Sequence, residues 1–285
     1  MRRAAGLAGR WYPSDPEACR EAIAWHTRPR EELACAPPLN PRGLIGPHAG
    51  WAYSGDCAGA AYRALSSRHG DAELAVVFGS HRGPSGPHTV FRGAGWETPL
   101  GALTTAGELA SRIAEDLGLA DEPVRPAHFD NAAELHLPFV RHCFPRAGLL
   151  MLGVGASEAA IAIGRRAGEL VRESGLDAVF IGSTDLTHYG PSYGFEPAGA
   201  GLDAVRWVRD ENDTRFLRAV LASDARAALS DATAHQSACC PGAVAATLEA
   251  LEASGAPPAP VLVDHTLSCD VVPAASFVGY ASLVL

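Results

Sequence analysis

Uninterrupted apolar runs, each bounded by Gly, Pro or polar residues, recur along the chain and predict its strands. They span residues 43–47, 74–80, 149–155, 178–183, 261–264 and 276–285. Short continuous runs of this kind are typical of strands that are buried in a sheet. The pattern therefore predicts a sheet as the core of the protein.

Helical periodicity fills most of the gaps between these runs. The predicted helices span residues 57–68, 106–117, 133–143 and 157–173. Ser157 is suited to cap the last of them, and Gly175 to end it. Strands that alternate with helices indicate parallel βαβ units, and thus an α/β fold. A mostly helical stretch, residues 202–253, precedes the two closing strands, so we predict one domain, 1–285, with a helical insertion.

Composition narrows the classes of function. The chain has 285 residues and a formal net charge of -9, without a basic stripe, which argues against nucleic acid as a partner. All of its basic side chains are Arg, and Lys is absent from the sequence. A Schiff-base mechanism, a pyridoxal phosphate site and a P-loop all require Lys, so they are excluded.

The cysteines and apolar segments predict a compartment. The sequence has 7 Cys and no C-x-x-C pair, so neither a disulfide framework nor a zinc knuckle is expected. The basic start runs directly into Arg10 and Trp11, without the apolar core of a signal peptide. The apolar segment 149–156 is too short to span a bilayer. We therefore expect a cytoplasmic protein with no membrane segment.

Two histidines follow predicted strands. His48 comes after the first strand and His81 after the second, a spacing of about one βαβ unit. Residues that follow parallel strands converge on one edge of the sheet, where such folds bind ligands. A metal site or an acid–base site is expected there. The plainer alternative is a pair of loop histidines that hydrogen-bond to the backbone.

A carboxylate and a third histidine follow the strand 178–183. Asp185 and His188 are three residues apart, so a helical turn would point both side chains the same way. A carboxylate that orients an imidazole makes it a better general base or metal ligand. Alternatively, Asp185 caps a turn and His188 lies on the surface.

Two adjacent cysteines, Cys239 and Cys240, precede the apolar run 243–251. A thiol at a helix N-terminus is stabilised as the thiolate, which suits a soft metal ligand or a nucleophile. The alternative is a small buried residue. The remaining cysteines are interpreted as structural: Cys19, Cys35, Cys57, Cys143 and Cys269.

Five motifs, in a fixed order, resemble one family. They are AGRWYP at 8–13, PHAGWAYSG at 47–55, TPLG at 98–101, ELHLPF at 134–139 and STDLTHYG at 183–190. The chain is thereby identified as a member of the MEMO family, whose prokaryotic members include AmmeMemoRadiSam system protein B. The motifs span nearly the whole chain.

The resemblance implies a fold and a site. The family has a doubly wound, mostly parallel sheet with helices on both faces, similar to LigB-type extradiol dioxygenases. By resemblance, His48, His81 and Cys239 hold mononuclear Fe(II) or Cu, with Zn as a further option. Asp185 and His188 match the family's acid and base. The residues expected around the substrate are Glu134, His136, Tyr189 and Cys240.

This chain departs from the family pattern in three places. The motif at 79–82 is one residue shorter than usual, and Cys240 is followed by Pro241, so either thiol could face the pocket. At Asn131 a family histidine is missing, and His128 or His136 could take its place.

The first functional hypothesis is redox chemistry on a small organic substrate, with an aromatic compound as one option. The second is a binding or scaffold protein that uses the same pocket for a peptide. A zinc-dependent hydrolase is a weaker third. Through resemblance alone, a radical-SAM protein and an AMMECR-type protein are expected partners.

Overall fold

A computed structural model describes residues 1–30, 40–126 and 130–285 of the chain. Cys35 and His128 therefore lie outside the described residues. In chain order the strands of the described part are β1 (Arg2–Arg3), β2 (Gly43–Gly46), β3 (Leu74–Phe78), β4 (Thr89–Val90), β5 (Gly95–Trp96), β6 (Leu103–Thr104), β7 (Ala120–Asp121), β8 (Gly148–Gly153), β9 (Ala178–Ser183), β10 (His188–Tyr189), β11 (Val261–Leu267) and β12 (Phe277–Val284).

The helices lie between these strands. They are α1 (Pro16–His26), α2 (Trp51–His69), α3 (Gly107–Leu117), α4 (Asn131–Glu134), α5 (Leu137–Cys143), α6 (Glu158–Ser174), α7 (Leu202–Arg206), α8 (Asp213–Leu221), α9 (Ala225–His235), α10 (Pro241–Ser254) and α11 (Ser268–Val271). A π-helical turn, Trp207–Asn212, joins α7 to α8. None of the described helices is long and apolar enough to cross a membrane.

A large, mostly parallel sheet organises the molecule. Its strand order is β10-β12-β2-β9-β3-β8-β4-β7, with β11 paired to β12. The central strands β2, β9, β3 and β8 are parallel, whereas β12 runs antiparallel to β2 and β4 runs antiparallel to β8. A smaller sheet, β1-β5-β6, packs beside it. The expected mixed α/β architecture is thus confirmed.

The central strands are buried on both faces because each face is covered by helices. In β3, Val76 and Phe78 belong to the core on one face, and Ala75 and Val77 to the core on the other. Alternate residues of a strand point to opposite faces, so one strand supplies both cores. This double burial explains why the strands are continuous apolar runs.

One helix is longer in the structure than predicted, and another predicted helix is two shorter helices. Helix α2 begins at Trp51 rather than at residue 57, because Gly55 and Gly59 pack against His26 of α1 instead of forming a turn. The helix predicted over 133–143 is broken after Glu134 and resumes as α5. The helical stretch before the closing strands is present as α7 to α10.

Candidate metal centre

The candidate site lies at the carboxyl ends of three adjacent parallel strands. His48 follows β2, Asp185 follows β9 and His81 follows β3, and β9 lies between the other two strands. Cys239 approaches this edge from the segment that leads into α10. Its amide donates to the Asp185 carbonyl (3.1 Å), which connects the segment to the loop after β9.

His48 is completely buried and held in one tautomer. The Ser183 hydroxyl donates to the Ala132 carbonyl, so its oxygen accepts the hydrogen bond from His48 Nδ1–H (2.7 Å). The other ring nitrogen, Nε2, is therefore left with a free lone pair. The His48 backbone is also fixed, because its amide donates to Asp185 Oδ1 (2.7 Å). This is the arrangement expected of a metal-binding histidine.

His81 is oriented in the same way by Asp130. Its Nδ1–H donates to Asp130 Oδ1 (2.8 Å), and its amide donates to the second carboxylate oxygen (3.1 Å). Burial opposes ionisation of His81, but hydrogen bonds to Asp130 and Cys239 raise its pKa to about 10. The His81 ring presents Nε2 to the site once it is neutral.

Three donor atoms converge on one point. His48 Nε2 is 3.1 Å from His81 Nε2 and 3.3 Å from Cys239 Sγ. Bonds of about 2.0 Å to nitrogen and 2.3 Å to sulfur would place neighbouring donors about 3.3–3.6 Å apart around a tetrahedral ion. Lone pairs and a thiolate at such short distances repel one another unless a cation or a proton lies between them. The residues therefore fit a metal ion.

The charges around Cys239 favour its thiolate. Burial by itself would raise the pKa of the thiol, but hydrogen bonding to Cys240 and the neighbouring His48 and His81 rings bring that pKa well below its ordinary value. The Asp185 amide also donates to Cys239 Sγ (3.3 Å). A thiolate is the form that binds a metal ion.

Asp185 and His188 face the same cavity but are not joined as expected. Asp185 accepts the His48 amide, and burial raises the pKa of its carboxyl. His188 Nδ1–H instead donates to the Leu186 carbonyl (3.1 Å), which leaves Nε2 as the basic nitrogen. The turn between them is not helical, and His188 begins β10. A backbone carbonyl, not Asp185, therefore orients the His188 ring.

Three of the residues expected around the substrate do not line the cavity beside the donor atoms. Glu134 is buried and accepts hydrogen bonds from the Leu7 amide (2.7 Å) and the Tyr12 hydroxyl (2.9 Å). His136 is buried against Tyr62. Tyr189 packs among aromatic rings, and its hydroxyl donates to the Gly199 carbonyl (2.8 Å). All three are thus used in the packing of the fold.

A cavity of about 660 Å³ opens beside the donor atoms. Asp185, His81 and His188 form part of its wall. Its aromatic wall consists of Trp11, Tyr53, Tyr193 and Tyr280. Such a cavity can take a flat organic molecule close to the three donors.

The sequence predictions missed Ser183, Asp130 and Tyr193. Ser183 and Asp130 orient the two histidines, but the contacts depend on strand pairing that no local pattern reveals. The expectation that Tyr189 lines the cavity could have been avoided. Neighbouring residues of a strand face opposite ways, so recognising β10 would have placed Tyr189 away from the side that His188 faces.

Comparisons with known proteins are consistent with this architecture. A protein-family model described as "Memo-like protein" matches residues 3–284. A MEMO1 family protein of Pyrococcus furiosus is 32% identical over 297 residues, which cover 100% of this chain and 99% of that protein. One of Thermococcus kodakarensis is also 32% identical, over 296 residues, with the same coverage of 100% and 99%.

A solved structure is similar only at a low level. It is an uncharacterized protein of Escherichia coli K12, with 13% identity and a TM-score of 0.49 over 85% of this chain and 98% of that chain. This likeness is too weak to support an argument. The match to the family model and the identity to the relatives are decisive, and the chain belongs to the Memo-like protein family.

Proposed function

We propose that this protein is a metalloenzyme that carries out redox chemistry on a small organic substrate. His48, His81 and Cys239 would hold one ion, Fe(II) or Cu, at the inner end of the cavity. The observation that carries the proposal is the convergence of two imidazole lone pairs and a thiolate within 3.1–3.3 Å. The doubly wound sheet supports the further proposal of a LigB-like fold.

The residues around the donors have separate tasks. When bound, the metal would supply electron transfer and a position for O₂ or substrate. Ser183 and Asp130 keep the two rings in the tautomers that leave Nε2 free. The aromatic wall binds a flat substrate and excludes water.

His188 is the proposed general base. Its Nδ1–H is committed to the Leu186 carbonyl, so Nε2 can accept a proton from a hydroxyl group of the substrate. The ring packs edge-on against Tyr193, with 5.0 Å between ring centres, and this contact limits its rotation. The base is therefore held beside the cavity and outside the group of metal donors.

The first test is elemental analysis of anaerobically purified protein. We expect about one iron or copper per chain, lost in His48→Ala and Cys239→Ala and retained in the control His142→Ala, which changes an exposed histidine of α5. Metal-free wild-type protein that cannot be loaded with Fe(II), Cu or Zn would overturn the proposal.

The second test measures O₂ consumption with a panel of catechol-like compounds. His188→Ala should retain the metal and lose at least about 100-fold in turnover, the size of a general-base contribution. A variant that lost the metal but kept activity would contradict the assigned role of His188.

A second candidate function is supported by the shape of the surface. Another cavity, of about 580 Å³, shares Trp11 and Tyr53 with the first, so the two cavities adjoin at these side chains. An extended peptide that passes over them could occupy both cavities without any chemistry. Binding of peptides by protein that shows no O₂ consumption with any compound, loaded with Fe(II) or Cu, would favour this function.

A further inference from the structure

Cys240 lies next to the three donors already described. Its Sγ is 3.7 Å from Cys239 Sγ, and its side chain is buried within the site. The thiol donates a hydrogen bond to the Ser80 carbonyl (3.2 Å), directly before His81. Cys240 thus occupies the space between the loop after β3 and the start of α10.

The spacing of the two sulfur atoms is that of two thiolates on one ion. With bonds of about 2.3 Å to sulfur, two thiolates of a tetrahedral ion are about 3.8 Å apart. The donor atoms of His48, His81, Cys239 and Cys240 all lie within 4.8 Å of one another. To bind the same ion, the Cys240 side chain must turn from the Ser80 carbonyl toward the other donors.

The backbone of Cys240 permits this side-chain rotation, because it is held in place by contacts that do not involve the sulfur atom. The Cys240 amide donates to Thr184 Oγ1 (3.1 Å), and Pro241 begins α10. The hydrogen bond to Thr184 and the start of α10 can both persist while the Cys240 side chain rotates about its Cα–Cβ bond. The hydrogen bond to the Ser80 carbonyl would be lost in this rotation.

We infer that Cys240 is a fourth metal ligand, which completes a set of two imidazoles and two thiolates. The inference deepens the proposed function and rests on it. On binding, the S–H bond of Cys240 breaks, its proton passes to solvent and a metal–sulfur bond forms, with no change of oxidation state. Of the two metals in the proposed function, two thiolates and two imidazoles favour Cu(I) over Fe(II), and the same set binds Zn(II), which serves below as a probe without redox chemistry.

A fourth protein ligand also changes how a substrate reaches the ion. With three protein ligands, a tetrahedral ion keeps one position open. With Cys240 bound, all four positions are filled, and a substrate must displace a ligand. Cys240 is the ligand to be displaced, because its thiolate can take a proton from solvent and the thiol can then donate again to the Ser80 carbonyl.

X-ray absorption at the zinc edge counts the sulfur ligands directly. The full chain, loaded with one equivalent of Zn(II), should show two sulfur scatterers at about 2.3 Å and two nitrogen scatterers at about 2.0–2.1 Å. One sulfur scatterer would overturn this inference and leave the metal site of the proposed function intact. Protein that retains none of Zn(II), Fe(II) and Cu would overturn both.

Variants test the same ligand by affinity. Cys240→Ser keeps a hydrogen-bond donor for the Ser80 carbonyl and should weaken Zn(II) binding by more than about 100-fold, beyond the effect of losing an outer-shell partner. Cys143→Ser, a half-buried thiol at the end of α5, is the matched control and should bind zinc like the wild type. Equal affinity in Cys240→Ser and the control would contradict the inference.

Discussion

At the scale of single residues, the site depends on hydrogen bonds that decide which ring nitrogen carries a proton. Ser183 donates to a backbone carbonyl and can only accept from His48, while Asp130 can only accept from His81. Each imidazole is thereby left with Nε2 as its donor atom. The two residues that set this tautomer come from different segments, so each can be tested separately.

Ser183→Ala should weaken metal binding without removing a ligand. The His48 ring would lose the acceptor of its Nδ1–H, and loss of such an outer-shell partner typically costs about 10–100-fold in metal affinity. Competition with a chelator measures the change. Ser254→Ala, at the end of α10, is the control, and an unchanged affinity in Ser183→Ala would contradict the role of Ser183.

Glu134 predicts a pH dependence of stability. Burial raises the pKa of its carboxyl, although the Leu7 amide and the Tyr12 hydroxyl favour the ionised form. The folded protein therefore holds this proton more tightly than the unfolded chain. The free energy of unfolding should fall as pH rises from the ordinary Glu pKa to the raised one, and stay level above it.

Glu134→Gln removes this titration but keeps an oxygen that can accept both hydrogen bonds. Urea unfolding at pH 4.5 and pH 7 should show that the variant gains stability relative to the wild type as pH rises. A difference between the two proteins that does not change with pH would show that the carboxyl has an ordinary pKa.

At the scale of elements, the contact between α6 and α10 depends on two glycines. A Cβ at Gly164 would overlap the Ala246 carbonyl oxygen, and one at Gly168 would overlap that of Ala250. The glycines are four residues apart and so lie on one face of α6. They let the backbones of the two helices approach closely over the sheet.

Gly164→Ala should therefore destabilise the protein, although Ala is the better helix former. Overpacking of this kind typically costs about 1–3 kcal/mol, and the unfolding free energy in urea measures it. Gly107→Ala in α3 is the control, because a Cβ there meets no atom within 4 Å. It should leave the stability unchanged or raise it by up to about 1 kcal/mol. Equal effects in both variants would contradict the close contact.

The presence of a strand or helix was easier to predict from the sequence than the residue at which it begins. The buried strands are continuous apolar runs because both faces of the sheet are covered, and every one of the six predicted strands is present. The start of α2 was predicted six residues late, because the glycines of 46–55 resemble turn residues. Gly55 and Gly59 instead contact His26 of α1. A contact between two helices cannot be recognised from the periodicity of one of them.

At the scale of the whole molecule, the fold assembles the donors from distant parts of the chain. His48 and His81 are 33 residues apart, and Cys239 is 191 residues from His48. Sequence position relative to the strands was enough to predict that the histidines meet. It was not enough to place Tyr189 or His136, whose surroundings come from packing between segments.

Metal binding should stabilise the folded protein, because the unfolded chain cannot bring these donors together. Zn(II) at about 100 times its Kd contributes about 2.7 kcal/mol, which for a chain of 285 residues corresponds to a rise in Tm of roughly 4–5 °C. Thermal unfolding with zinc and with a chelator measures the shift. His48→Ala should lose most of it and His142→Ala none. A full shift in His48→Ala would place the bound zinc elsewhere.

The long separation of the donors also has a consequence for kinetics. A contact that spans 191 residues forms only after the central strands have found their order, so the site is absent until late in folding. A bound ion then contributes little to the transition state for folding and acts on the native state alone. Metal would therefore leave the folding rate nearly unchanged and slow unfolding, which makes the ion a determinant of the lifetime of the protein.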